Sequence, residues 1–184
     1  MSVAVLVYAG VLELELGAAL SVFSLAGGDG ATRTVARSRA SVVGSGGLVT
    51  TPEVMFAALE PPEGVFVPGG VGAARMSRDP LVQSFLRAQH ARGVPMAASG
   101  SGVLALGEAG LLEGLVVSTS ADLEDTVWGY SPSDVLSGGL SEDSDRISSH
   151  GGLGALDAAL CLAARLWGTA AATGAARRLG YGAA

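Results

Sequence analysis

The feature that most constrains this chain is a unit written three times: an apolar, β-branched run, a glycine turn, then a segment of helical spacing. Val3-Ala4-Val5-Leu6-Val7-Tyr8 breaks at Ala9-Gly10. Val65-Phe66-Val67 runs into Pro68-Gly69-Gly70-Val71-Gly72, and Val94-Pro95-Met96-Ala97-Ala98 runs into Ser99-Gly100-Ser101-Gly102. Unbroken apolar runs of this length suit strands covered on both faces, and helices alternating with them impose parallel pairing through right-handed crossovers. The predicted class is therefore α/β, with a mostly parallel central sheet and helices on both faces. In such a sheet the loops after the strands gather at one edge, so the glycine turns are expected to be neighbours.

The intervening segments fill in the layers. Leu12, Leu16, Leu20 and Phe23 recur at helical spacing before Gly27-Gly28, which predicts a helix from Leu12 to Leu25. Residues 32–38 and 41–43, ahead of Gly44-Ser45-Gly46-Gly47, predict short strands or an antiparallel ribbon. Helices are expected across Pro80 to Arg92 and along Val103-Leu104-Leu106. Residues 121–146, rich in Ser, Asp, Glu and Gly, read as a loop or short hairpin. Gly151 to Gly168 reads as a last core helix with Leu153, Leu156, Leu160 and Trp167 inward, and the alanine-rich end as a soluble amphipathic helix.

Composition narrows the partners. The 184 residues suit one domain over 1–184, and 49% hydrophobic residues supply a sizeable core. A formal charge of -6, with every positive charge on arginine because the chain has no lysine, argues against nucleic acid and anionic membrane as partners. The first apolar stretch has no basic flank and is interrupted by Glu13 and Glu15, so neither a leader nor a spanning helix is predicted. A single cysteine, Cys161, allows no internal disulfide, and the cytoplasm is the expected compartment. Two separated histidines and one cysteine give no metal-ligand spacing, and phosphate-loop and dinucleotide signatures are absent, so no cofactor and no metal are expected.

Pro68-Gly69-Gly70, the turn from Ser99 to Gly102, Ala109-Gly110-Leu111-Leu112-Glu113-Gly114 and Gly154-Ala155-Leu156-Asp157 resemble, in order and spacing, the ThiJ/PfpI superfamily. Within it the chain looks most like isonitrile hydratases and the amino-terminal domains of AraC-type regulators. The likeness spans about residues 3 to 168. It implies the class I glutamine amidotransferase-like fold, a flavodoxin-like three-layer sandwich, and a homodimer. Relatives carry a nucleophilic cysteine at a sharp elbow after a strand. Counting back without gaps from Ala109-Gly110-Leu111-Leu112 puts that position at Gly100, the following threonine at Ser101 and the glycine at Gly102. Glycine has no side chain with which to attack a substrate.

The remaining site residues follow from the same resemblance. Glu15 matches the carboxylate that stands beside the family cysteine, although an acidic residue in a first helical turn is also favoured by the helix dipole alone. Glu13 is the weaker alternative. Backbone N–H groups of Gly70 and Ser101 occupy the oxyanion-hole positions. Ser101, with His150 as base and Glu15 behind it, is the one conceivable replacement triad, and Ser99 is expected to face away from it. The AraC-type histidine is missing from Ser118-Thr119-Ser120-Ala121. His90 is expected to face solvent, and Cys161 to act as a small hydrophobe. The reading is a pseudoenzyme that binds a small polar metabolite in a pocket formed by Gly70, Gly100, Ser101 and Gly102. The alternative is an isonitrile hydratase-like lyase or amidase-like hydrolase using Glu15 and an activated water without a covalent intermediate.

Overall fold

A computed structural model describes residues 1–182; residues 183 and 184, part of the expected domain, lie outside the described residues. The chain opens with β1 (Val3–Leu6), α1 (Glu13–Gly27) and β2 (Thr32–Ala36), followed by the two-residue strands β3 (Val42–Val43), β4 (Val49–Thr50) and β5 (Val54–Met55). Next come β6 (Gly64–Val67), α2 (Ala73–Ser77), α3 (Pro80–Ala91), β7 (Met96–Ser99) and α4 (Val103–Glu108). The last part holds β8 (Val116–Ser118), α5 (Glu124–Trp128), β9 (Asp134–Leu136), β10 (Leu140–Asp143), β11 (Arg146–Ser149), α6 (Gly154–Trp167) and α7 (Thr169–Arg178).

Seven strands form the main sheet in the order β10-β11-β7-β6-β1-β2-β5, parallel throughout except at the β10–β11 edge. All four residues of β1, of β6 and of β7 are buried, as strands covered on both faces require. Helices α1, α6 and α7 pack on one another in one layer, and α2, α3 and α4 form the other. This is the three-layer flavodoxin-like arrangement expected from the sequence. Crossovers from β1 run toward β2 and those from β6 run toward β7, so the strand order reverses between β1 and β6 and opens a crevice at their carboxyl ends.

Local chemistry explains several boundaries. Asp79 caps α3 by accepting the Leu81 N–H at 2.9 Å, and Pro80 fills the first helical position, where its missing N–H is not needed. Phe23 of α1 meets Phe66 of β6 edge to face at 5.8 Å between ring centroids, which fixes that helix on the sheet. Residues 44–47 do turn an antiparallel ribbon, β3–β4, whereas residues 32–36 join the main parallel sheet.

Three differences from the sequence reading have physical causes. Residues 121–146 hold helix α5 and strand β9 ahead of the β10–β11 hairpin, and β11 itself, Arg-Ile-Ser-Ser, is buried at all four positions despite its polar composition. Most of its polar groups are paired: Ser148 Oγ accepts the Ser118 N–H at 2.8 Å and Arg146 binds Asp145 at 2.8 Å, while the buried Arg146 Nε has no hydrogen-bond partner among the described residues. The core face of α6 is Ala155, Ala158, Ala159, Leu162 and Ala163, while Leu153 is 65% exposed and Leu156, Leu160 and Trp167 are only partly buried. Small residues let α6 approach α1, α7 and the sheet closely. His90 is half exposed, but Nδ1 also meets the buried Arg146 guanidinium.

Candidate functional site

Three loops meet in the crevice: Tyr8–Leu12 after β1, Pro68–Gly72 after β6 and the elbow Gly100–Gly102 after β7. Their backbones touch. Leu12 N–H donates to the Gly69 carbonyl at 2.8 Å and Gly72 N–H to the Gly10 carbonyl at 3.2 Å. Gly70 has φ 144°, and a Cβ there would fall inside contact distance of the Gly10 carbonyl oxygen, so only glycine permits this approach.

Glu15, two residues into α1 from its start, turns inward and is 2% exposed. Its Oε2 accepts the Gly69 N–H at 2.6 Å and its Oε1 accepts the Gly152 N–H at 2.7 Å. One carboxylate thus ties the loop after β6 to the loop after β11. Gly100 sits at the elbow with φ 51°, and a Cβ there would lie 3.3 Å from Glu15 Oε1 and 3.0 Å from the Gly151 Cα. Gly151, at φ 97°, faces Gly100 across the same gap. The Gly100 carbonyl accepts from the buried Thr119 hydroxyl at 3.4 Å.

Ser101 lies beside this cluster. Its Oγ accepts the Gly70 N–H at 2.9 Å and donates to the Gly70 carbonyl at 3.2 Å. The hydroxyl therefore cross-links the elbow to the glycine turn, and the Gly70 amide, one of the two expected to form an oxyanion hole, is directed at it. Gly102 opens the helix behind the elbow. His150 is exposed; its Nδ1 bonds to the Gly139 carbonyl at 3.2 Å and its ring lies over Gly154. Glu15, Gly70, Gly100, Ser101 and Gly102 are thus brought together, whereas the hydrogen bonds of Ser101, His150 and Glu15 each go to backbone and not to one another. Ser99 Oγ is buried and accepts from Ser149 Oγ at 3.2 Å.

The other candidates stand apart from the elbow. Glu13 accepts the Gly46 N–H through both oxygens at 2.8 Å and the Leu48 N–H at 3.2 Å, holding the β3–β4 turn, and these bonds, chiefly that from Gly46, lower its pKa. Cys161 is half buried, and burial, followed by its 3.3 Å hydrogen bond to Glu142, pushes its thiol up to about 12. Tyr8 was not singled out from the sequence: its hydroxyl donates to the Pro68 carbonyl at 2.7 Å, and burial together with the nearby Glu15 charge raises its pKa well above the ordinary value, leaving it a neutral donor. Its position as the last residue of an apolar strand run was the only available signal. Among the described residues no group of three or more His, Cys, Asp or Glu side chains is placed to hold a metal, and no helix is long and apolar enough to cross a membrane.

The DJ-1/PfpI family model matches residues 1–165. The chain belongs to the DJ-1/PfpI family. Among solved structures, it is similar to a ThiJ/PfpI family protein from Pseudomonas syringae, with 26% identity and a TM-score of 0.90 over 98% of this chain and 75% of that one. A DJ-1 superfamily protein from Salmonella typhimurium is 29% identical, with a TM-score of 0.82 over 98% of each chain. Drosophila melanogaster DJ-1beta, at 24% identity and a TM-score of 0.90 over 98% of this chain and 99% of its own, shares the fold. No curated protein matches the chain.

Proposed function

We propose that this DJ-1/PfpI protein is a non-catalytic, single-domain member of the family that binds a small polar metabolite at the elbow, with Gly100 standing where the family's nucleophilic cysteine would be. The observation that carries this reading is the bonding of Glu15. Its two oxygens are committed to the Gly69 and Gly152 amides, and it is 2% exposed, so it serves the backbone framework and not a reacting group. The hydratase-like or amidase-like alternative needs Glu15 to activate a water within hydrogen-bond reach, and the same bonding gives that less support. Ser101 is likewise bonded to Gly70 on both sides, not to a base.

A homodimer is part of the proposal. Leu14, Val43, Leu48, Val49 and Val71 are between 49% and 85% exposed, on segments that the Glu13 and Ser45 hydrogen bonds hold together. Light scattering should report a dimer that Val49→Glu converts to monomer.

The deciding experiment is a hydration and amide-hydrolysis assay with small isonitriles and amides on wild type and Glu15→Gln, alongside crystals soaked in the same compounds. The expected result is occupancy at the elbow with no turnover. Turnover by wild type that disappears in Glu15→Gln overturns the binding reading in favour of the water-activating enzyme.

A further inference from the structure

A cavity of about 530 Å³ lies outside the elbow, at the carboxyl ends of β1 and β2 on the side covered by α2 and α3. Its volume falls within the range of about 300–1,000 Å³ usual for small-molecule sites. Side chains of Leu6, Val42, Phe56, Met76 and Val82 give it an apolar interior. Ala36, at the end of β2, keeps the floor low, and Phe56 is held in place by stacking on Phe85 at 4.7 Å between centroids.

The polar groups around this interior are unbalanced. Arg37, Arg75 and Arg78 line it together with one acid, Asp79. That acid is already spent: Oδ1 caps α3 through the Leu81 N–H and Oδ2 holds Arg37 at 3.1 Å. Neither Arg75 nor Arg78 forms an ion pair among the described residues. They stand three positions apart, a spacing that puts side chains of a helical turn on one side. In a chain of net charge -6, this concave apolar surface thus carries two guanidiniums without an ion-pair partner among the described residues. Guanidinium presents a planar fork that matches a carboxylate in bidentate fashion, and the floor suits a compact apolar body.

We propose that this cavity is a binding site for a small organic monocarboxylate, its anionic group held by Arg75 and Arg78 and its aromatic or branched aliphatic body lying over Ala36, Phe56 and Met76. The site does not depend on the elbow reading. Arg37, pinned by Asp79, closes one side, and Ser38 stands exposed at the rim. The interaction is electrostatic at a half-open mouth, so affinity falls as salt rises.

Isothermal titration calorimetry with phenylacetate and its neutral amide, phenylacetamide, tests the proposal at low ionic strength. Phenylacetate should bind saturably at one site per chain and phenylacetamide at least about tenfold more weakly, since a charged hydrogen bond is lost. Arg75→Gln should weaken phenylacetate about tenfold, and Ser38→Trp, which fills the mouth, should abolish it. Both positions are exposed, so the variants should melt as wild type does. Amide shifts in ¹⁵N spectra should move at residues 36–38 and 75–79. The proposal is overturned by absent saturation, by equal affinity for the amide, or by unchanged binding in both variants. Shifts confined to Gly69, Gly100 and Gly152 overturn it too, while supporting ligand binding at the elbow.

Discussion

Placing a side chain at Gly100 tests how the elbow is built. Gly100→Ala adds one methyl at φ 51°, a left-handed conformation costing a non-glycine residue about 1–2 kcal/mol. The new Cβ would sit 3.0 Å from the Gly151 Cα, a backbone atom that cannot rotate away, and mild overpacking of this kind adds about 1–2 kcal/mol. The unfolded chain also loses freedom when glycine becomes alanine, which returns about 0.4–1 kcal/mol. The net expectation is destabilisation by about 1–3 kcal/mol. For a chain of this size that lowers the melting temperature by roughly 3–10 °C. Urea unfolding followed by circular dichroism measures the difference, and an unchanged slope shows that stability alone has changed. A Gly100→Ala protein as stable as wild type, or more so, would refute the close Gly100–Gly151 contact and leave the elbow with room for a side chain.

Further predictions address the neighbours. Glu15→Gln keeps the shape but replaces one accepting oxygen by a donor facing an N–H, so urea unfolding should show a loss of about 2–3 kcal/mol; a neutral result would mean Glu15 is not the link between the two loops. Ser101→Ala removes the partner of the Gly70 amide and should cost about 1 kcal/mol in the same assay. At pH 8, Cys161 should react with iodoacetamide on the order of a hundredfold more slowly than glutathione, because its raised pKa leaves almost no thiolate; labelling at the glutathione rate would contradict the burial and Glu142 contact. Since Glu13 has a folded pKa below its unfolded one, its contribution to the β3–β4 turn is present above the unfolded value and lost as acid protonates the folded carboxyl. The protection factor of the Gly46 amide against hydrogen exchange should fall across that acidic range in wild type and lose this pH dependence in Glu13→Gln.

Strands β1, β6 and β7 and the glycine turns after β6 and β7 were legible because each is a continuous apolar run ended by residues that cannot continue it. Those same runs dictated a parallel sheet with the turns at one edge, and so brought Gly70, Gly100, Ser101 and Gly102 together. Strand β11 was not legible: hydrophobic periodicity cannot reveal a buried strand whose serines bond Ser118 and Ser99 and whose arginine pairs with Asp145, contacts distant in sequence or fixed only after folding. The inward face of α6 was misread for a related reason, since close helix packing selects alanine over leucine at the points of contact.

The sequence by itself determined the α/β class and the glycine turns after β6 and β7, because those depend on local runs, while the elbow position at Gly100 and the acidic Glu15 beside it followed from the resemblance to the ThiJ/PfpI superfamily. Only the tertiary structure decided what these groups do. It spent both oxygens of Glu15 on amides at Gly69 and Gly152, turned Ser101 onto Gly70, left His150 outside, and set three arginines around an apolar cavity with one acid to oppose them. The hydrogen bonds of Glu15 and Ser101 join residues 31 to 137 positions apart, and no local pattern encodes them.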